Sequence, residues 1–270
     1  MKMRDTITEA FKLPELTYRV WRVWRRDFDV FMKTWKVNFF PPLLEPIFYL
    51  VAFGFGVGTF FPSSVLFEGL VYKQFVATAL VAISVMNSSF FECTYGSFVR
   101  MYYQRTFDGI VATPISVEEV IAGELVWGAT RSLISATIVL GVVAAFGLIS
   151  SPLFIFILPI AFLGGLMFSS IGMCFTAIAP NIDFFNYPAF LFVTPMLFLS
   201  NTFFPLSVFP QALQNFAVAV LPLVHEVTLT RGLMTGNLQA LMGVSILWIS
   251  AVTIFFFVLS INLMKKRLIK

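Results

Sequence analysis

LMGVSILWISAVTIFFFVLSINL, residues 241–263, carries no charged side chain, and Met264 is followed at once by Lys265, Lys266 and Arg267. A helix of that length rises about 34 Å, enough to cross a hydrocarbon core about 30 Å thick. The basic triplet stops it, because Lys and Arg settle among lipid head groups. Working back from this span at 239–262, similar apolar stretches occupy roughly 40–61, 74–94, 127–149, 153–179 and 188–205. The fold class predicted is therefore all-α and integral to the membrane, with six transmembrane helices.

Composition agrees. Of the 270 residues 59% are hydrophobic and only 12% are charged, with a mean hydropathy of +0.89. An ordinary soluble domain carries about 25% charged residues. Too few polar side chains are present to cover a water-facing globule, so apolar surface must face lipid.

Orientation follows from the bases. Nine of the 18 Lys and Arg precede residue 37 and four lie in the last six residues. With the N-terminus inside, Arg100, Arg105 and Arg131 join them on the cytoplasmic side, and only Lys73 and Arg231 fall outside. An even number of spans returns the C-terminus to the basic side, as the excess of Lys and Arg in cytoplasmic loops requires. Both termini are expected in the cytoplasm. The basic balance then speaks for anionic lipid as partner, with no nucleic acid. No cleavable leader is expected, since residues 1–38 are charged throughout and lack an apolar core.

Two cysteines, Cys93 and Cys174, fall near cytoplasmic span ends, where a reducing compartment disfavours a disulfide. His225 is the single histidine, so no metal site is expected. It reads as a head-group-facing residue.

Residues 16–36 read as an amphipathic interfacial helix. Trp21, Trp24, Phe28, Phe31 and Trp35 recur at three- and four-residue steps, with Arg19, Arg22, Arg26, Lys33 and Lys36 on another face. Such a helix either anchors the chain or moves as a gate.

The cytoplasmic connection 95–126 is the most informative polar segment. Val99 to Ile110 interleaves bases and aromatics and predicts a short helix exposing Tyr102, Tyr103, Arg105 and Phe107. Large aromatics beside arginines favour a protein contact. Pro114 ends that helix. Ser116-Val117-Glu118-Glu119 then forms a capping box that starts the next one, with Ile115 and Val120 at the staple positions.

Charges within spans need partners. Glu92 and Arg131 lie near the inner ends of antiparallel spans 2 and 3 and are candidates for an intramembrane ion pair; the alternative is that each reaches the interface separately. Glu45, after Pro41-Pro42, reads as a dipole cap in the first turn of span 1. Gly164, Gly165, Ser169 and Gly172 predict close helix approach in span 4. Between span 5 and the last span, Pro205, Pro210 and Pro222 punctuate apolar stretches too short to cross. Residues 206–233 are expected to form an external re-entrant helical hairpin.

The chain has no G-x-x-x-x-G-K-[ST] motif and no nucleophile–base pair, so no catalytic residue is assigned and ATP hydrolysis is not expected within it. Few ionisable groups lie at mid-span, against ion-coupled pumping. Uphill transport would draw its energy from a partner.

Three stretches carry a resemblance: Pro42-Leu43-Leu44-Glu45-Pro46 through Phe53-Gly54, Ala112-Thr113-Pro114-Ile115-Ser116, and Leu197-Phe198-Leu199-Ser200-Asn201-Thr202-Phe203-Phe204-Pro205. In that order they resemble the permease subunits of type-2 ABC exporters, most of all the lipo-oligosaccharide (nodulation-factor type) export permeases, although the family usually has Gly at the position of Asn201. The resemblance covers nearly the whole chain as one transmembrane domain, 1–270. It implies a homodimer bound to two copies of a separate ABC ATPase that holds ATP and Mg, with no cofactor in this chain. It implies the cytoplasmic (inner) membrane of a bacterium or archaeon. It also implies an ATPase-coupling role for Arg100, Tyr102, Tyr103, Arg105, Phe107 and Asp108, a gate role for 16–36 and a re-entrant role for 206–233. The substrate would be an amphipathic molecule, such as a lipo-oligosaccharide, polysaccharide, lipid or drug, moving outward past Phe48, Phe53 and Phe198 between two protomers. The reading from another class is an ATPase-independent channel or membrane scaffold.

Overall fold

The computed structural model describes residues 13–62 and 65–269. Lys2, Arg4, Lys12 and Lys270 of the basic termini lie outside them. The described chain is helical, with no β-strand: α1 (Val20–Phe60), α2 (Tyr72–Tyr103), α3 (Thr106–Val111), α4 (Val117–Ala145), α5 (Pro152–Ile178), α6 (Ile182–Leu199), α7 (Gln211–Val220), α8 (Pro222–Thr235) and α9 (Leu241–Leu268). Six of these, α1, α2, α4, α5, α6 and α9, are long and apolar enough to cross a membrane. A seventh is reached only by counting α7 and α8, which meet at 88°, as one bent span.

The bundle is built around α2. Its apolar stretch is 78% buried, against 17% for α1 and 22% for α6. α4 and α5 flank it, α8 closes it from the far side, and α9 packs along α5. Small residues set the spacing, as expected from Gly164, Gly165, Ser169 and Gly172. At Gly165 a Cβ would stand 2.7 Å from Ser132 Cβ and 3.1 Å from Ala129 Cα, and at Gly172 it would stand 2.9 Å from the Phe90 carbonyl oxygen. Ser132 then donates across the seam to the Ala161 carbonyl at 2.9 Å. Small side chains and interhelical hydroxyl bonds are what joins helices where no water is available to drive them together.

Several boundaries differ from the sequence-based expectation, and each difference has a backbone cause. The segment 16–36 is not a separate helix: α1 runs through Pro41, Pro42 and Pro46, widens into a π-helical stretch at Leu50–Gly56 and ends in a 3₁₀ turn at Val57–Phe60. Proline removes a donor, but the freed carbonyls need not break a helix that neighbours support. Glu45 is therefore mid-helix, where Asn87 Nδ2 donates to it at 3.4 Å, and caps nothing. The connection 95–126 is shorter than expected, because α2 continues to Tyr103 through π turns and α4 begins at Val117. The capping box is present: the Glu119 amide donates to Ser116 Oγ at 3.2 Å, and the Ser116 amide donates to Glu119 Oε2 at 2.8 Å. Residues 206–233 contain α7 and α8, but α8 is buried along most of its length against α2 and α9.

Gly165→Ala tests the α4–α5 seam. Overpacking there should cost about 1–3 kcal/mol, read as a lower thermal midpoint of the purified protein. Gly243→Ala, whose Cβ meets nothing within 4 Å, should leave the midpoint unchanged.

Candidate functional site

One end of the bundle gathers the residues just before α1, the end of α9, the 104–116 connection and the 179–181 turn. Lys265 of α9 pairs with Glu118 at the start of α4, Arg19 donates to the Pro114 carbonyl, and Arg267 donates to the Thr176 carbonyl at 2.5 Å. Just inside this end lies an alternating row of charges. Asp27 pairs with Arg26, both on α1. Arg26 Nη2 stands 3.5 Å from Glu124 Oε1 of α4. Arg100 of α2 binds Glu124 Oε2 with Nη2 at 2.6 Å and Nε at 3.0 Å, and Ser97 Oγ donates to the same oxygen at 2.8 Å. Arg100 Nη1 donates to Glu92 Oε1 at 2.8 Å, and Glu92 Oε2 lies 3.5 Å from Arg131 Nε on α4. Asp27, Arg26, Glu124, Arg100, Glu92 and Arg131 thus alternate in sign and sum to zero.

The backbone explains the row. Glu124, Trp127 and Arg131 follow at three- and four-residue steps on one face of α4, while Glu92 and Arg100 are eight apart on α2 with Gly96 between them. A Cβ at Gly96 would press on Glu92 Oε1 at 3.2 Å and Arg100 Nη1 at 3.4 Å. Trp127 Nε1 donates to Glu92 Oε1 at 2.9 Å, and the Arg131 guanidinium sits 5.0 Å from the Phe31 ring. α1 joins by packing Val23 where Gly123 leaves room and by Trp24 Nε1 donating to Thr130 Oγ1 at 2.8 Å. Trp24 and Phe31 therefore face α4, whereas Trp21 and Trp35 stay exposed. Beside the row is a cavity of about 540 Å³ between α1, α2 and α4.

The residues expected to couple to a partner divide in two. Arg100 is half-buried with its guanidinium engaged in the charge row, and Phe107 is fully buried, so neither is a free surface contact. Both are anchors. Phe107 shares a cluster with Phe98, Met101, Val117 and Met264, because a short helix on a bundle needs one apolar face inward. Tyr102, Tyr103, Arg105 and Asp108 remain exposed. Arg105 turns the corner between α2 and α3 with a left-handed φ of 50°, an uncommon conformation for a side-chain-bearing residue. Tyr102 stacks on buried Phe98, with ring centroids 5.4 Å apart, so the exposed aromatics stand on a rigid base.

Of the expected substrate-path residues, Phe53 and Phe198 meet through Phe203, at 4.6 Å and 6.2 Å between ring centroids. Phe48 is exposed on a shallow cleft of about 450 Å³ beside Glu45. His225 is not a head-group residue: it is buried, stacks on Trp248 at 4.3 Å and bonds Ser245 Oγ and the Val218 carbonyl. Both cysteines are free.

Two further polar features escaped the sequence. Glu226 is fully buried on α8, and both carboxylate oxygens lack a partner in the notch left by Gly164. At the bundle end opposite the charge row, Arg231 of α8 binds Glu68 Oε2 at 2.9 Å and the Asn201 carbonyl at 2.8 Å, and Asn201 Nδ2 donates to Glu68 Oε1 at 2.8 Å. Asn201 has φ 62°, so this backbone suits Gly or Asn, the residues that enter the left-handed region most readily. The departure from the family's usual Gly is thereby accommodated. A clue to Glu124 was available in its spacing to Trp127 and Arg131; Glu68 and Arg231, more than 160 residues apart, offered none.

Glu124→Gln tests the row. It leaves Arg100 and Arg26 short of a buried counter-charge and should cost about 3 kcal/mol or more, measured by thermal or denaturant unfolding, whereas exposed Asp29→Asn should change stability by less than about 0.5 kcal/mol.

Comparison with known proteins adds the lineage. The ABC-2 type transporter family matches residues 18–235. Nodulation protein J of Bradyrhizobium diazoefficiens is 36% identical over 263 residues, covering 97% of this chain and 98% of the relative. Nodulation protein J of Rhizobium meliloti is 33% identical over 246 residues, covering 91% and 92%. The inner membrane transport permease YadH of Escherichia coli is 22% identical over 195 residues, covering 72% and 75%. No solved structure matches the chain. A helical bundle with six membrane-crossing helices and full-length relatives of this kind place the chain in the ABC-2 type transporter family.

Proposed function

We propose that this chain is the permease subunit of an ATP-driven exporter, working as a homodimer with two copies of a separate ABC ATPase. The cargo is an amphipathic molecule with a lipo-oligosaccharide as the first candidate, moved outward across a cytoplasmic membrane with both termini inside. The resemblance to nodulation-factor export permeases, and relatives named for nodulation, support that cargo class. The chain carries no P-loop, so hydrolysis belongs to the partner.

The observation that carries the reading is the exposed corner at Tyr102, Tyr103 and Arg105, seated on Phe98 and Phe107 and continuous with the charge row. An ATPase that pushes on this corner pushes on α2, and through Arg100, Glu124 and Arg26 on α1. In this reading the first part of α1 lies along the inner interface as a gate, α7 and α8 form a re-entrant pair at the outer face, and the weakly buried α1 and α6 meet a second copy. Phe53, Phe198 and Phe48 then border the path between protomers.

Reconstitution with the cognate ATPase tests this. Tyr102→Ala combined with Arg105→Glu should lower ATPase affinity by about tenfold or more, the scale of an interface hot spot, and abolish ATP-dependent transport while membrane insertion is normal. Transport without any ATPase would favour the channel reading, and unchanged coupling would sink the proposed docking corner.

A further inference from the structure

At the end opposite the charge row, the 65–71 segment, the end of α6, α7, α8 and the start of α9 surround a cavity of about 610 Å³. That volume lies within the ~300–1,000 Å³ range of small-molecule sites. Its charged lining groups are Glu68 and Arg231, and these cancel each other at 2.9 Å. All the Arg231 nitrogens are already engaged, with Thr78 Oγ1, Glu68 and the carbonyls of Phe75 and Asn201. The cavity therefore offers no net charge and no free cation to an anionic ligand.

What it offers is mixed hydrogen bonding. Thr228 Oγ1 spends its proton on the Val224 carbonyl at 2.8 Å and keeps its lone pairs. Asn237 and Gln239 present primary amides, each both donor and acceptor. Glu68, which lines the cavity, accepts once on each oxygen and is 39% exposed, so its carboxylate has capacity for a further donor. Between these groups the wall is apolar, from Val218 and Met242. Left-handed backbone also concentrates here: Glu68 at φ 52°, Gly69 at 83° and Asn201 at 62° line the cavity, and Gly236 at 79° adjoins it. Such conformations persist where the surrounding structure holds them, and they cluster at ligand sites.

We propose that this cavity binds a neutral polyhydroxylated group, a short saccharide. Its hydroxyls bond Glu68, Thr228, Asn237 and Gln239, and its apolar ring faces lie on Val218 and Met242. The identification of the saccharide as part of the cargo rests on the exporter reading; the binding itself does not. The same chemistry is presented by a free sugar and by the head group of a glycolipid, and the test separates them.

The purified chain in lipid nanodiscs is titrated with maltotetraose, with an N-acetylglucosamine tetramer, with octyl glucoside below its micelle concentration, and with inorganic phosphate, using saturation-transfer NMR with empty nanodiscs as blank. Saturable binding of at least one tetramer is expected, with none of phosphate. Thr228→Val and Asn237→Leu should each weaken it roughly tenfold, the loss of about one hydrogen bond, with an unchanged thermal midpoint showing that each variant is folded. Octyl glucoside binding with neither tetramer bound would assign the site to a glycolipid head group, still within the proposal. No saturable binding of any glycoside, equal binding by both folded variants, or competition by phosphate would overturn it. Saccharide binding without ATP-dependent export would leave the cavity assigned and refute the exporter reading; export without saccharide binding would do the reverse.

Discussion

Six buried or half-buried charges in one alternating row constrain everything else at one end of this protein. Two unit charges 4 Å apart attract by about 4 kcal/mol at the effective dielectric constant of a protein site. An unpaired charge in that setting costs several kilocalories. Glu124 is fully buried, so Arg100 must reach it, which holds the last turns of α2 against α4. Glu92 in turn needs Arg100, Trp127 and the more distant Arg131. The first part of α1 is not free to lie anywhere on the membrane surface, because Asp27 and Arg26 complete the row. Charge pairing thereby fixes the relative position of three helices whose apolar surfaces alone would pack in many registers.

The opposite end uses the same physics differently. One buried guanidinium, Arg231, draws in a carboxylate from the segment before α2, a carbonyl from the end of α6 and a hydroxyl from α2 itself. The backbone at Glu68 and Asn201 is left-handed as a consequence of being held there. Between the two ends the bundle contains almost no charge, and its helices are joined by small residues and hydroxyls. Glu45 and Glu226 are exceptions: Glu45 accepts from Asn87 of α2, and Glu226 is lodged against Gly164 without a bonding partner.

Most of the fold was legible in the sequence because span length, basic flanks and the Ser116–Glu119 capping box are local signals. The six spans and the start of α4 needed no tertiary knowledge. Boundaries were less legible where a helix ignores its own punctuation: Pro41 and Pro42 read as a start but sit inside α1, since neighbouring helices stabilise what proline weakens. The Glu92–Arg131 proximity could be anticipated from antiparallel depth, but the place of Arg100 between Glu92 and Glu124 could not, because a loop was expected where α2 continues. Phe107 was misplaced for a related reason: a six-residue helix has to bury something, and periodicity over so few residues does not say which side. Asp27, Glu68 and the burial of His225 depend on contacts across the chain, which no local pattern encodes.

The most direct test of the charge row as the joint between the docking corner and α1 is a double-mutant cycle on its central link. Stability is measured by reversible unfolding of the wild type, Arg100→Gln, Glu124→Gln and the double variant. The row predicts that each single change is severe and the double is much less than their sum, with a coupling energy of about 1.5 kcal/mol or more. Additive losses, with a coupling energy near zero, would contradict it.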